Sequence, residues 1–388
     1  LHLSLRRQRQ MCIRDRESNV WHFVTEEKPR EIENISGWTI MIYLDGDNNM
    51  ESYAQLELDE IRSVKISGNM TVTVLYDGQG NHNSHFYIIT NESYKEISLN
   101  EIYSRWSDEV NMGSSTTLSE FINYSMGNYP AENYMLELWN HGNGWMGICW
   151  DEMSGDRLTM GEIKNALSGV YEEYGRGIDI LVYTACRMAE IECMYEVMGY
   201  VKYFIASEES VLATGLPHED ILEGIVTNDS INPRDLCIKI VEKYASYYQY
   251  TQTATISAWN IELLRNLSNA INTLSQILIS EITNHAQIKN AYFETESFGG
   301  IGTIDLYDFA FNVQKNFLNN TYVYNAAQTV MENVTKVVFA EWHGEDHQNA
   351  HGISIYFPLE ENYVNSYENT DFAINTHWDE FLEIFYGI

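Results

Sequence analysis

Short apolar runs alternate along this chain with longer segments in which apolar residues recur at helical spacing. Runs rich in β-branched and aromatic residues that stop at Gly, Asn or Asp are typical of buried strands, and the periodic segments are typical of amphipathic helices. The pattern predicts strands over residues 38–44, 70–76, 134–139, 178–183 and 203–207. Helices are predicted between them over residues 50–64, 116–127, 159–170 and 188–198. Because strands that alternate with helices form βαβ units, we expect an α/β fold with a mainly parallel central sheet flanked by helices.

The pattern becomes more helical after Pro217. Helices are predicted over residues 220–225, 233–244, 262–284, 306–317, 322–336 and 378–385, and strands over 254–259, 337–342 and 352–357. We therefore divide the chain into a core over residues 30–260 and a mostly helical C-terminal portion over residues 261–388. The C-terminal portion is expected to pack on the core.

The first 18 residues, L-H-L-S-L-R-R-Q-R-Q-M-C-I-R-D-R-E-S, are basic, whereas the rest of the chain is acidic. They resemble a translated sequencing adapter, so residues 1–18 are excluded from the fold prediction. We expect the native N-terminus to be missing from this sequence. The start of the chain therefore carries no information about export.

Acidic residues dominate the composition: 56 Asp and Glu stand against 23 Lys and Arg, which gives a formal net charge of −33 at pH 7. Nucleic acids and anionic membrane surfaces require basic patches, so this charge argues against both as partners. No apolar run reaches the length of about 18 residues that a membrane span needs. The five cysteines are odd in number and irregularly spaced, which argues against a disulfide framework.

Two motifs follow predicted strands and carry the most informative side chains. N-H-G-N-G-W, residues 140–145, follows the third predicted strand, and Y-T-A-C, residues 183–186, ends the fourth. The carboxyl ends of parallel strands lie at one edge of a sheet, so His141 and Cys186 should meet there. A cysteine becomes a nucleophilic thiolate when a base lies within hydrogen-bond reach. The two motifs therefore indicate nucleophilic catalysis by a cysteine.

These motifs belong to a set of six segments that begin at Trp38, Leu138, Thr184, Ala206, Ile304 and His351. The segments read W-T-I-M-I-Y-L-D-G-D-N-N-M-E, L-W-N-H-G-N-G-W, T-A-C-R-M-A-E-I-E, A-S-E-E, I-D-L-Y-D-F-A and H-G-I-S-I-Y-F-P. In this order they resemble the clostripain family of cysteine endopeptidases, which is in the same clan as caspases, legumains and gingipains. The resemblance covers most of the chain. It implies a caspase-like sandwich and an endopeptidase that acts on proteins or peptides.

The resemblance also implies roles for individual residues. Cys186 is the expected nucleophile, which forms a thioester with the substrate, and His141 is the expected acid and base. The backbone N–H groups of Gly142 and Cys186 are the expected oxyanion hole. Taken alone, a cysteine at a strand end is more often a buried structural residue, and a single histidine is an ordinary loop residue. The resemblance to the family instead favours a catalytic role for both residues.

Thr184 departs from the family pattern. Members that cut after Arg or Lys usually have Asp two residues before the cysteine, at the floor of the specificity pocket, whereas this chain has Thr there. A hydroxyl cannot balance a buried guanidinium, so we expect a preference for basic residues that is weaker than in those members. Glu208 and Glu209 follow the next strand and are candidates to supply the missing charge. The alternative is that these two residues form a solvated loop face.

Oxygen-bearing side chains alternate at the end of the first strand, at Asp45, Asp47, Asn49 and Glu51. Such ligands suit calcium, with which the member that gives the family its name is associated, although the full twelve-residue calcium loop is absent. The alternative is a turn that caps the following helix. A second polar cluster, residues 343–351, matches no zinc spacing and is predicted to be a loop. We assign no metal ligand and expect no required cofactor, with calcium as an optional one.

The main alternative to an enzyme is a catalytically silent surface or binding module on the same fold, and the intact His141 and Cys186 favour the enzyme. A serine or metal hydrolase is disfavoured, since the motifs G-x-S-x-G and H-E-x-x-H are absent. We expect a monomer that is secreted or attached to the cell surface. Self-cleavage is predicted in the polar segment 151–158, which contains Arg157.

Overall fold

The structure is a computed structural model that describes residues 37–91, 94–300 and 302–388, and the segment 1–18 lies outside this part of the chain. The strands are β1 (Trp38–Asp45), β2 (Met70–Asp77), β3 (His85–Ile89), β4 (Tyr94–Ile97), β5 (Asn133–Trp139), β6 (Ile148–Asp151), β7 (Asp156–Leu158), β8 (Ile178–Thr184), β9 (Val201–Ala206), β10 (Thr255–Asn260), β11 (Ser297–Phe298), β12 (Thr303–Asp305), β13 (Val338–His343) and β14 (Ser354–Tyr356). The helices are α1 (Glu51–Ser63), α2 (Leu99–Ile102), α3 (Ser115–Asn128), α4 (Met160–Tyr174), α5 (Ile191–Val197), α6 (His218–Val226), α7 (Pro233–Tyr247), α8 (Leu264–Ser280), α9 (His285–Glu294), α10 (Leu306–Asn316), α11 (Thr321–Val337), α12 (Asp371–Asn375) and α13 (Trp378–Tyr386).

A nine-stranded sheet forms the centre of the fold, in the order β13-β10-β9-β8-β5-β1-β2-β3-β4. The strands from β9 to β2 run parallel to their neighbours. Antiparallel strands extend the sheet at both edges, with β10 and β13 on one side and β3 and β4 on the other. The predicted α/β fold with a mainly parallel central sheet is confirmed.

Helices cover both faces of the sheet. Successive residues of a strand point to opposite sides, so each buried strand contributes to two apolar cores. On β1, Ile40 and Ile42 belong to one apolar core and Met41 and Tyr43 belong to the other, and the whole strand is buried. Helices α1, α6 and α7 cover the first face. Helices α3, α4, α5, α8, α10 and α11 cover the second. This two-sided burial explains why the parallel strands read as continuous apolar runs.

The C-terminal portion is built into the sheet and into the core. Strand β13 pairs with β10 and forms one edge of the sheet. Ser354 of β14 reaches back to the segment that follows Cys186, because its N–H and its hydroxyl both donate to the Ala189 carbonyl oxygen, at 2.8 and 3.1 Å. The described residues form one compact unit, so a division at residue 260 stays a prediction.

The segment 151–158 was predicted to be an exposed polar loop; residues 152–157 are exposed, but the segment is partly a strand pair. It contributes the end of β6 and all of β7, which pair as an antiparallel hairpin. Asp151 is buried there because its carboxylate accepts hydrogen bonds from the N–H groups of Met112 and Ser154. Arg157 is exposed on β7, and self-cleavage in this hairpin stays a prediction.

Helices α5 and α9 are among those that differ from their predictions. The helix predicted over 188–198 is shortened to α5, since the N–H of Ala189 donates to the Ser207 carbonyl oxygen and holds the preceding residues beside β9. Helix α9 has no predicted counterpart. Of its residues only Ile288 and Ala291 are buried, so its apolar period is too weak to read from the sequence.

Candidate active site

Strands β5 and β8 bring the His141 and Cys186 segments to one edge of the sheet. The two strands are parallel neighbours, with Trp139 opposite Thr184. His141 and Cys186 each lie two residues beyond this pair. The N–H of Asn140 donates to the Thr184 carbonyl oxygen at 3.4 Å, so the two segments stay together past the strand ends.

Gly142 lies directly against the Cys186 segment. A Cβ atom added to it would lie 2.6 Å from the Cys186 carbonyl oxygen, 2.8 Å from Met188 Sδ and 2.9 Å from Ala185 Cβ. Any side chain would therefore push the two segments apart. Glycine is required here because only its bare backbone permits this approach.

The imidazole of His141 is half-buried and bonded to Asn49. Its Nε2 lies 2.7 Å from Asn49 Oδ1. An amide oxygen only accepts hydrogen bonds, so Nε2 carries the proton and Nδ1 is left as the basic nitrogen. Burial lowers the pKa of His141 below its usual range and favours the neutral ring. His141 thus has the protonation state that a general base needs.

Cys186 lies at the start of a constrained turn. Its thiol is partly exposed and donates to the Val211 carbonyl oxygen at 3.9 Å. The next residue, Arg187, has a φ of +58°, a left-handed conformation that residues with a side chain rarely adopt. The N–H of Arg187 donates to the Glu209 carbonyl oxygen at 3.1 Å. The segment after Cys186 is thereby fixed against the segment that follows β9.

Glu190 links the segments that carry His141 and Cys186, a role that the sequence did not predict. Its buried carboxylate accepts a hydrogen bond from the Trp145 N–H at 2.6 Å. At the other end of the same loop, Asn140 Nδ2 donates to the Asp45 carbonyl oxygen at 2.6 Å. The loop that carries His141 is therefore held at both ends. The position of Glu190 inside the motif T-A-C-R-M-A-E-I-E is the sequence signal that points to it.

Thr184 is buried and bonded directly to Glu137, which His218 links to a second carboxylate, Glu57. Its hydroxyl donates to Glu137 Oε1 at 2.5 Å, and Glu137 Oε2 lies 2.9 Å from His218 Nε2. His218 Nδ1 lies 2.6 Å from Glu57 Oε2. Burial opposes the charge of His218, but the two carboxylates outweigh it and raise the pKa of His218 well above its usual range. The Thr184 hydroxyl is thus already hydrogen-bonded to another residue of the protein.

Glu208 and Glu209 contact different neighbours. Glu208 is 1% exposed, its Oε2 accepts from the Gly352 N–H at 2.9 Å, and burial raises its pKa well above the usual range. The Glu209 carboxylate accepts from the N–H groups of Ser210 and Gly299. Burial acts against ionisation of Glu209, but these hydrogen bonds outweigh it and lower the pKa. Of the two acids, Glu209 is thus the one whose charged form is favoured.

Three buried carboxylates converge where β1, β2 and β6 end. One oxygen each of Asp47, Asp77 and Asp151 lie within 4.8 Å of one another. Within the described part of the chain, Asp45 Oδ2 and Asp77 Oδ2 are buried without a hydrogen-bond partner. Burial raises the pKa of Asp77 to about 8 and that of Asp45 well above its usual range, and nearby carboxylates add to both shifts. Hard oxygen ligands in this arrangement suit a divalent cation.

Asn49 and Glu51, two of the residues considered as calcium ligands, have other roles. Asn49 bonds to His141, and Glu51 begins helix α1. The second polar cluster, residues 343–351, connects β13 to β14. Among the residues that the structure describes, it contains no convergent group of three potential metal ligands.

Comparison with known proteins places the chain in a family. A model of the clostripain family matches residues 42–385, which is most of the chain. The chain belongs to the clostripain family of cysteine peptidases. It is 27% identical over 234 residues to clostripain from Hathewaya histolytica, and this alignment covers 51% of the chain and 44% of clostripain. The match thus spans less than half the length of that relative.

Solved structures of C11 proteases have the same fold as this clostripain-family chain. An inactive zymogen C11 protease from Parabacteroides distasonis has a TM-score of 0.66 at 20% identity, over 89% of this chain and 99% of that one. A secreted C11 cysteine protease from Bacteroides thetaiotaomicron, in complex with an irreversible peptide inhibitor, has a TM-score of 0.67 at 18% identity, with the same coverage. These likenesses confirm the predicted caspase-like architecture.

Proposed function

We propose that this member of the clostripain family is a cysteine endopeptidase in which Cys186 and His141 form the catalytic dyad. The observation that supports it most directly is the approach of the two segments, where Gly142 meets the Cys186 backbone with no room for a side chain. Family membership supports Cys186 as the nucleophile. The lowered pKa of His141 supports its role as the base.

The proposed reaction has two halves. His141 takes the proton of the Cys186 thiol, and the thiolate attacks the carbonyl carbon of the scissile peptide. The N–H groups of Gly142 and Cys186 donate to the oxyanion of the tetrahedral intermediate. When the C–N bond breaks, the imidazolium gives its proton to the leaving amine and a thioester remains on Cys186. His141 then takes a proton from water, whose attack releases the acid and restores the thiol.

The proposed substrates are proteins or peptides. The Bacteroides thetaiotaomicron relative was solved with a peptide inhibitor, which supports a site for an extended chain at this edge of the sheet. That relative is secreted, and among the described helices of this chain none is long and apolar enough to cross a membrane. We propose an enzyme that is secreted or attached to the cell surface and acts as a monomer.

A preference for Arg or Lys before the scissile bond stays a prediction of the family resemblance. The ionised Glu209 and the formal net charge of −33 support attraction of basic peptides. The Thr184 hydroxyl, in contrast, is bonded to Glu137 and brings no charge of its own. Cleavage of a peptide library by the purified protein measures the preference directly.

Calcium is proposed as a ligand that supports the structure and takes no part in the chemistry. The family resemblance implies it, and Asp47, Asp77 and Asp151 supply a fitting set of oxygens. The unpartnered oxygens of Asp45 and Asp77, noted among the described residues, support the fit. Bound there, the ion would offset the repulsion among these carboxylates and hold the β6–β7 hairpin to the ends of β1 and β2.

Labelling with a thiol-directed peptide inhibitor tests the dyad. We expect wild-type protein to be labelled and Cys186→Ala to remain unlabelled. Cys237→Ala is the matched control, because Cys237 is buried on α7 and its loss should leave labelling intact. His141→Ala should lose about 100-fold or more in hydrolysis. Retained hydrolysis in either catalytic variant would refute the dyad, and a folded wild type that neither reacts nor cleaves would indicate the silent binding module.

A further inference from the structure

A cavity of about 600 Å³ lies where strands β8 and β9 begin, at the edge of the sheet opposite Cys186. Its walls come from the segment before β8, the start of β9 and the residues around the start of α8. Strand β8 has seven residues and leads from the cavity to the turn with Cys186, so at about 3.3 Å per residue the two lie at least about 20 Å apart. The cavity has the volume of a small-molecule site and is separate from the proposed dyad.

Three basic side chains line this cavity, although acidic residues dominate the chain. Arg176 precedes β8, Lys202 belongs to β9 and Arg265 belongs to α8. The residue period of a single helix or strand does not explain the cluster, because the three side chains come from separate elements. The fold therefore gathers positive charge at one cavity of a chain whose formal net charge is −33.

Arg176 and the buried Asp179 form a fixed pair in the wall. Asp179 Oδ2 accepts from Arg176 Nη2 at 2.7 Å and from the Tyr134 N–H at 3.0 Å. Arg176 Nη2 also donates to the Glu132 carbonyl oxygen at 2.9 Å, and its guanidinium lies over the Tyr134 ring, 4.8 Å from the centroid. The negative charge of Asp179 is therefore balanced within the protein.

Lys202 and Arg265 are both exposed and are held less tightly. Lys202 Nζ lies 3.8 Å from Asp179 Oδ1, which is too long for a hydrogen bond. In the described part of the chain, no carboxylate lies within ion-pair distance of Arg265. The other acid of the lining, Glu262, is exposed to solvent. Lys202 and Arg265 are therefore available to a ligand.

The floor of the cavity is tightly packed. A Cβ atom added to Gly177 would lie 1.9 Å from the Tyr200 carbonyl oxygen, and the same oxygen accepts from the Ile178 N–H at 2.9 Å. The segments that lead into β8 and β9 are thus held together, and the cavity is formed before a ligand binds. A preformed site loses less free energy to ordering when it binds.

We propose that this cavity binds a small organic polyanion, a phosphate ester or a polycarboxylate, between Lys202 and Arg265. The fork of N–H donors on Arg265 fits a carboxylate or phosphate group, and the Lys202 ammonium adds a second positive charge. The acidic chain repels anions in general, so a local pair of cations decides where an anion can bind. The inference does not depend on the proposed reaction at Cys186.

Isothermal titration calorimetry at low salt tests the proposal with two anionic probes, glucose 6-phosphate and tricarballylate, and with neutral glucose as the reference. Wild type should bind at least one anionic probe with a Kd below about 1 mM and should not bind glucose. Lys202→Gln and Arg265→Gln should each weaken binding about tenfold, because each removes one charged contact. Lys95→Gln is the matched control: it lies exposed on β4, at the far end of the sheet, and should bind like wild type.

The probe that binds more tightly identifies the ligand as a phosphate ester or a polycarboxylate, and either result supports the site. Binding of neither anion at about 10 mM would overturn the proposal. Equal binding by wild type and by a double variant with Lys202→Gln and Arg265→Gln would also overturn it, since the anion would then lie elsewhere. Both side chains are exposed, so the variants should keep the wild-type Tm, which thermal unfolding checks.

Discussion

Nε2 of His141 lies 2.7 Å from Oδ1 of Asn49, which belongs to the turn between β1 and α1. This turn is itself held, because Asn48 Nδ2 donates to the Trp150 carbonyl oxygen at 2.7 Å. A hydrogen bond at one imidazole nitrogen fixes the tautomer and the orientation of the ring. The proposed dyad therefore has a positioning residue, Asn49, supplied by the turn that follows β1, the strand next to β5.

Asn49→Ala should lower kcat about tenfold to 100-fold, because His141 keeps its basic nitrogen but loses the hydrogen bond that orients its ring. The fold should be unaffected, since the Asn49 side chain is exposed. Steady-state kinetics and thermal unfolding measure the two effects. Asn128→Ala, on the exposed end of α3, is the control. An unchanged kcat in Asn49→Ala would show that the ring is held by other contacts.

The pH dependence of kcat/KM should reflect the lowered pKa of His141. A general base acts when neutral, so activity should be lost as the pH falls, with a midpoint below about 6.5. Asn49→Asp keeps the acceptor and adds a negative charge, which stabilises the imidazolium and raises the pKa. The acid limb should then move to higher pH in this variant. An acid limb that stays in place would argue against the Asn49 bond.

His218→Ala should destabilise the protein by about 3–5 kcal/mol, because it leaves Glu57 and Glu137 buried without their counter-charge. The raised pKa of His218 sets the pH window: its stabilisation is complete below about pH 6.5 and is lost as the pH rises through the raised pKa. Urea unfolding at several pH values should show the difference from wild type shrinking at alkaline pH. His82→Ala, at an exposed histidine, should leave the urea midpoint unchanged.

Added calcium should raise the Tm of wild type by about 2–8 °C at saturation if it binds the proposed oxygens. Asp77→Asn should abolish this shift. The amide imitates the protonated acid, which the pKa of about 8 favours at neutral pH, so the ion-free fold should tolerate the change. Asp108→Asn, at an exposed carboxylate, is the control. A wild-type Tm that does not respond to calcium would exclude this site.

The parallel strands could be predicted because each is buried on both faces and reads as one apolar run. The same reasoning placed His141 and Cys186 just beyond strand ends, since the predicted apolar runs end at Trp139 and Tyr183. The hairpin of β6 and β7 was not predicted, although residues 152–157 are exposed as expected. Asp151 is buried because it accepts hydrogen bonds from the Met112 and Ser154 N–H groups, which composition does not reveal.

Contacts between distant segments account for what could not be predicted. Asn49 meets His141 across 92 positions, and Glu208 meets Gly352 across 144. A residue pattern indicates which face of an element is apolar, but it does not say which element lies opposite.

The two hydrogen bonds from Ser354 to the Ala189 carbonyl oxygen span 165 positions of the chain. During synthesis from the N-terminus, the turn that carries Cys186 therefore lacks one of its anchors until β14 has been made. The proposed nucleophile would gain its final setting only when β14 docks on this turn. A chain that stops short of β14 would therefore hold Cys186 without this anchor.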